Sequence, residues 1–468
     1  MKTELYRHQR DAILLMKKFK RYGLWLDTGT GKTLTCLKFL EEVKPWPTLV
    51  LCPLSIVGPA WESDAKKFTS SLNLVACSGS AIARRELSSS SVKTMMMDGL
   101  VFVANYEAFR SSCQAFLTIP WSCIILDEST RVMNPKAKIS KLVHRLTSMD
   151  SVEYCFALSG CPTPNSKLEF WSQVHAFDPT ALESSYYSFR HSRFYQPNGK
   201  HQWLWVPRPG AEAGIVDQVA NVSVFVRKED CLSLPPQTHE VREVTLASRE
   251  RTVYDQFLKD WVVRLDEGDI VGSTALSELM KLRQMTAGLA KNSDGDWMEI
   301  GDSKLKALKE LVQDIGKDPH GRVKSIVIVG QFRREIERTV QVLGDKATGR
   351  KCAILYGGLS ADRRDESIRG FQDGVYDTLV VHPASAGHGL TFVNCADMIF
   401  ASLSYSYEQY YQVMQRIHRI GQTKPCTYHY LLAKDTIDEK IHAALQKKQG
   451  ANMEMVEMFR GAPEGTCP

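Results

Sequence analysis

One short segment limits the fold of this chain more than any other: Leu26-Asp27-Thr28-Gly29-Thr30-Gly31-Lys32-Thr33. It follows the apolar run Gly23–Leu26 and opens a helical pattern over Leu34–Glu42. A strand that turns through two glycines straight into a helix is the phosphate-holding turn of an α/β sheet. Gly29 and Gly31 let backbone N–H groups face inward with no Cβ in the way. The helix N-terminus adds partial positive charge. Lys32 has the reach for the β and γ phosphates of a nucleoside triphosphate, and the Thr33 hydroxyl suits Mg²⁺. Leu26 stands where the strict pattern has a glycine.

The rest of the chain agrees with that sheet. Thr48–Cys52, Leu100–Ala104, Cys123–Leu126 and Cys155–Leu158 are short apolar runs that alternate with helical patterns. The second half repeats the scheme at Ile326–Val329, Ala353–Leu355, Leu379–Val381, Met398–Ala401 and Tyr428–Leu432. Such alternation predicts parallel sheets with helices on their faces. With 468 residues, two or three domains are expected. The division predicted is 1–180, a middle of 181–302 that breaks the alternation with helical sequence, and 303–468. The last part should open with an amphipathic helix capped by Ser303, striped by Leu305, Leu308, Val312 and Ile315, and ended by Gly316.

Ligands of open α/β sheets sit at the carboxyl ends of strands, and polar groups stand there. Cys123-Ile-Ile-Leu-Asp127-Glu128 puts two carboxylates at one strand end. Asp127 suits a Mg²⁺ role and Glu128 suits polarising an attacking water. Far downstream, Arg416 and Arg419 are three apart, which puts them on one face of a helix. Paired arginines neutralise charge on a transferred phosphoryl group. His418 between them reads as structural.

Composition excludes little and adds one cue. The net charge is +6, mildly basic and compatible with nucleic acid. From Ser184 to Ala211 there is no acidic residue, and Arg190, Arg193, Lys200 and Arg208 are interleaved with seven aromatics. That mixture suits a nucleic-acid backbone, and equally a helical insertion packed on its own rings. No apolar run has bilayer length, and the N-terminus lacks a signal-peptide core, so no membrane partner is expected. The twelve cysteines form no Cys-x-x-Cys pair, which favours reduced thiols over disulfides or zinc.

Taken in order, these elements resemble the superfamily-two helicase-like ATPases, and within them the Swi/Snf-type branch of double-stranded DNA translocases. Leu5-Tyr-Arg-His-Gln9 resembles the adenine-reading motif, and Thr28–Thr33 the phosphate loop. Leu51-Cys-Pro53-Leu-Ser55 followed by Trp61 resembles motif Ia, and Asn105-Tyr106 the next strand-end element. Asp127-Glu-Ser-Thr130 stands at motif II and Leu158-Ser-Gly-Cys-Pro-Thr163 at motif III. Gln331 lies in a motif IV-like run, Gly387 and Gly389 in a motif V-like run, and Gln412 to Gln422 resembles motif VI. Ser129-Thr130 and Cys161 depart from the usual residues of motifs II and III, and cysteine is a weaker hydrogen-bonding group than threonine.

The resemblance implies two tandem RecA-like α/β domains with helical insertions between them, closing around ATP and Mg²⁺. It implies catalysis by Lys32, Asp127, Glu128, Gln412, Arg416 and Arg419, with Thr33 and Asp127 at the metal. DNA contacts would come from Pro53, Ser55, Trp61, Asn105, Tyr106, Gln331, Gly387 and Gly389, joined by Arg190, Arg193 and Lys200 from the basic segment. The expected partner is double-stranded DNA, bound by a monomer, with forked or branched DNA and strand separation as the alternative. A binding scaffold with little turnover is the alternative of another class. The size resembles compact phage-encoded or bacterial members, which implies a bacterial or phage-infected cytoplasm, or a nucleus in a eukaryote.

Overall fold

The computed structural model describes residues 4–77, 79–88, 100–197, 205–266, 272–292, 295–317, 321, 323–345, 348–386 and 390–461. The chain forms two compact units, Met1–Ser233 with Gln449–Pro468, and Leu234–Lys448. Among the described residues no helix is long and apolar enough to cross a membrane.

The first unit is built on β1 (Arg21–Leu26), β2 (Thr48–Cys52), β3 (Asn73–Cys77), β4 (Leu100–Asn105), β5 (Cys123–Asp127) and β6 (Tyr154–Leu158). A small antiparallel pair follows, β7 (Phe194–Tyr195) with β8 (Val206–Pro207), and then β9 (Ser223–Val226). The seven main strands order as β3-β4-β2-β5-β6-β1-β9, and every pairing is parallel. β2, β4 and β5 are buried at every residue, which is why they read as continuous apolar runs. Period-two side chains split between two cores. Leu49, Leu51 and Phe102 pack with Trp121 and Phe170 on one face. Val50, Val101 and Val103 pack with Phe39 and Trp61 on the other. Each such side chain contributes about 1.5–3 kcal/mol by leaving water.

The second unit carries β10 (Gln237–Val244), the antiparallel pair β11 (Leu289–Lys291) with β12 (Trp297–Glu299), and β13 (Ile326–Val329). It continues with β14 (Cys352–Leu355), β15 (Thr378–Val381), β16 (Asp397–Phe400) and β17 (Cys426–Ala433). Its sheet orders as β10-β17-β16-β13-β15-β14, again all parallel. The predicted α/β architecture, two parallel sheets flanked by helices, is therefore present.

The amphipathic helix spans Ser303–Ile315 and stops at Gly316, whose φ is 59°. Its cap differs from the prediction. Asp302 holds the N-cap position. The Ser303 hydroxyl instead donates to Glu250 and accepts from Ala247 N.

Candidate active site

The strand order β5-β6-β1 brings three carboxyl ends side by side. β1 delivers the phosphate loop, β5 the acidic pair, and β6 the turn that begins at Ser159. In the loop, Gly29 and Gly31 have φ of 91° and 86°, a left-handed conformation that costs other residues roughly 1–2 kcal/mol. Thr30 is buried, and its hydroxyl donates to Asp27 O at 2.7 Å. Its carbonyl accepts from Gln9 Nε2 at 3.0 Å and meets His8 Nε2 at 2.9 Å. Gln9 thus clasps the loop, and its own oxygen accepts from Tyr6 N. A Cβ on Gly31 would lie 2.2 Å from Gln9 Nε2, so glycine is required there twice over. Gly160 packs on the loop in the same way: its Cβ would come within 2.8 Å of Thr28 Oγ1 and 3.5 Å of Lys32 Nζ. The Lys32 ammonium donates to Leu26 O at 2.8 Å and to Asp27 O at 3.3 Å. Thr33 is half-buried in the first turn of the helix Lys32–Val43.

Asp127 is buried and its carboxyl is pushed up to about 6, first by burial and then by the charge of Glu128, against the pull of Lys32. Its two oxygens accept from Trp61 Nε1 at 2.9 Å and Glu128 N at 3.0 Å. A carboxylate so desolvated and crowded by a like charge is a ready partner for a divalent cation. With the Thr33 hydroxyl it offers the hard oxygen donors that Mg²⁺ takes, so the residues present fit that ion. Glu128 stands at φ 52°, ψ 59°, a conformation unusual outside glycine and frequent at functional turns. Behind it, Ser129 Oγ donates to Gln173 Oε1 at 2.7 Å, and Gln173 Nε2 donates to Pro162 O at 2.7 Å. Fully buried Gln173 therefore ties the turn after β5 to the turn after β6.

Three side chains assigned to DNA are placed elsewhere by packing. Trp61 is wholly buried and gives its N–H to Asp127. Tyr106 is buried, with its hydroxyl donating to Asp127 O at 3.0 Å. Asn105 is buried and caps the helix Tyr106–Phe116 through Ala108 N. All three serve the acidic pair or its neighbouring helix. Pro53 is buried and Ser55 half-buried. Trp61→Phe keeps the ring and removes the donor. Loss of one bond to a charged group should lower kcat about tenfold, measured as steady-state phosphate release. An unchanged kcat would show that Asp127 is held without the indole.

The basic segment is largely spent on itself. The Arg190 guanidinium lies 4.2 Å from the Trp205 ring centre and 5.5 Å from that of Tyr186. Arg193 pairs with Glu183 at 2.7 Å and donates to Gln218 at 2.9 Å. Glu183, just outside the acid-free stretch, supplies the charge that the sequence reading left unmatched. Lys200 lies outside the described residues, as do Gly387 and Gly389.

In the second unit, the helix Tyr407–Met414 ends before the arginines. Arg416 and Arg419 lie in the turn that follows, not on the predicted helix face. They converge all the same. Both donate to Leu390 O, at 3.1 and 2.9 Å, and Arg416 also to Gln412 O at 2.9 Å. Gln412 and Arg416 are buried. His418 meets Pro235 O at 2.8 Å, the structural role expected of it. The same unit holds a groove of about 800 Å³, lined among others by Gln331, Arg333, Arg334, Tyr356 and Ser385.

Two parallel α/β units, one with a phosphate loop beside an Asp-Glu pair and the other with a convergent arginine pair, define a helicase-like ATPase of tandem RecA-like design. The SNF2-related domain matches residues 8–288 and the helicase conserved C-terminal domain matches residues 303–421. The chain belongs to the SNF2-related family. It is 25% identical to protein p41 of Acyrthosiphon pisum secondary endosymbiont phage 1, over 97% of this chain and 98% of that one. It is 24% identical to YwqA of Bacillus subtilis (strain 168), over 94% of this chain and 49% of that one. It is 25% identical to TATA-binding protein-associated factor 172 of Homo sapiens, over 95% of this chain and 27% of that one. The chain spans half or less of the length of the last two. Among solved structures, the Sulfolobus solfataricus SWI2/SNF2 ATPase core in complex with dsDNA is similar over 99% of this chain and 94% of that one, at 23% identity and a TM-score of 0.45.

Proposed function

We propose that this protein hydrolyses ATP and uses the cycle to move along double-stranded DNA. The observation that carries the reading is the meeting of Lys32, Asp127, Glu128 and Gly160 at the carboxyl ends of three neighbouring strands, in a chain of the SNF2-related family. Lys32 exchanges its two backbone carbonyls for β and γ phosphate oxygens. Asp127 and Thr33 are the residues that would hold Mg²⁺, which when bound offsets phosphate charge. Glu128 orients the attacking water. Arg416 and Arg419 are assigned to the charge that develops as the bond to the γ phosphorus breaks. The groove at Gln331 supports a nucleic-acid contact, with cationic and aromatic side chains at the carboxyl ends of β13 and β15.

ATP hydrolysis should rise several-fold with linear duplex, and more than with single-stranded DNA or RNA. A third strand annealed to the duplex should be displaced only when ATP is hydrolysed. Turnover equal in all nucleic acids, or no displacement, rejects translocation. Separation of a forked duplex without displacement of a third strand would favour the strand-separating reading.

A further inference from the structure

Within the second unit, Gln331 is held at its backbone N–H and at its side-chain oxygen. Its N–H is shared between Glu335 Oε2 at 2.8 Å and Ser402 Oγ at 3.0 Å. His382, whose Nδ1 accepts from Ala384 N, lines the same groove. Its side-chain oxygen accepts from Arg283 Nη2 at 3.2 Å. A guanidinium has only donors, so the amide has one permitted orientation: oxygen toward Arg283 and NH₂ away from it. Arg283 is itself fixed. Its Nε and Nη2 both donate to Leu403 O, at 3.1 and 2.7 Å, and it lies over the Phe332 ring at 5.5 Å. The remaining group, the Gln331 NH₂, has no partner among the described residues, and Gln331 lines the groove of about 800 Å³.

We propose that Arg283 is a positioning residue that locks the Gln331 amide so that its two N–H donors face a phosphodiester oxygen of nucleic acid in the groove. The ligand class follows from the chemistry. Two outward donors stand beside Arg333 and Arg334, which share the one carboxylate of Glu337 on the same wall at 2.8 and 3.8 Å and leave a net positive charge, a match for an acceptor-only anion. Without Arg283 the amide of the unbound protein samples both orientations about equally, and the phosphate must select the one with NH₂ outward. The inference rests on the DNA reading above and adds to it the residue that sets the donor's direction.

The test is a double-mutant cycle on the full chain, read as the dissociation constant for a fluorescein-labelled duplex by anisotropy. Gln331→Ala should weaken binding about tenfold, and Arg283→Met about twofold, the cost of a competent orientation only half populated. Their combination should be no weaker than Gln331→Ala alone, because Arg283 acts only through Gln331. Additive losses would overturn the proposal, since Arg283 would then act directly or through general structure. Gln331→Glu guards against misfolding of the Arg283 variant. It keeps an oxygen for Arg283 but replaces the outward donors with an acceptor, and it should lose more than tenfold. Binding by Gln331→Glu equal to wild type would also overturn it. A wild-type chain that binds no duplex would overturn the DNA reading and this inference together. A wild type that binds, with additive variants, removes this inference alone.

Discussion

Lys32→Ala is expected to reduce ATP turnover by about a thousandfold or more. The ammonium sits at the helix N-terminus beside Gly160 and already spans two strand-end carbonyls. In the proposed cycle its partners are the oxygens that gain charge as the γ phosphoryl group leaves. Alanine removes that charge and its two bonds to the loop, and the bonds of Thr30, Gln9 and Asp27 still hold the turn. Phosphate release at saturating ATP and duplex is the measurement, with a thermal melt to confirm folding. Turnover within a few-fold of wild type would remove the phosphate-loop assignment.

Glu128→Gln is expected to slow hydrolysis about 10²- to 10⁴-fold while ATP still binds. Glutamine keeps the shape and adopts the same positive φ at similar cost, so the turn is preserved. The substitution also removes the like charge that, after burial, does most to hold the Asp127 carboxyl up. Asp127 is then more readily ionised, which keeps its affinity for a cation. Single-turnover hydrolysis and titration with a fluorescent ATP analogue separate the two effects. Loss of nucleotide binding alongside the rate would mean that Glu128 shapes the site and does not act on the water.

The strands that sequence made legible are those buried on both faces. β2, β4 and β5, and β13, β15 and β16, are uninterrupted apolar runs because helices cover them on two sides. β3, β9 and β10 were not legible. Asn73–Cys77 and Ser223–Val226 are short and partly exposed, and Gln237–Val244 carries six charged or polar residues at the sheet edge. Such strands owe their place to a neighbour's hydrogen bonds more than to their own pattern. In the site, Lys32 and Asp127–Glu128 were legible because their chemistry is local to a strand end. Trp61 and Tyr106 were not, since only the packed sheet puts an indole and a phenol on the same aspartate. Gln173 gave no signal, and nothing in the sequence assigned Arg283 a role. Each is one polar residue within a helix, and its partners come from turns distant in sequence.

β9 has a consequence for synthesis of the chain. It is the outer neighbour of β1, where Asp27 N bonds Val226 O and Asp27 Oδ2 accepts from Lys228 N, a residue 201 positions later. A nascent chain that has already laid β6 against β1 still shows the ribosome's surroundings a bare, apolar sheet edge. At 5–20 residues per second, roughly 10–40 s pass between the emergence of Asp27 and that of its last partner. During that interval the nucleotide pocket is unfinished at its first residue, and the half-made sheet is open to pairing with another chain. The edge and the nucleotide loop are completed together, when residues 223–228 arrive.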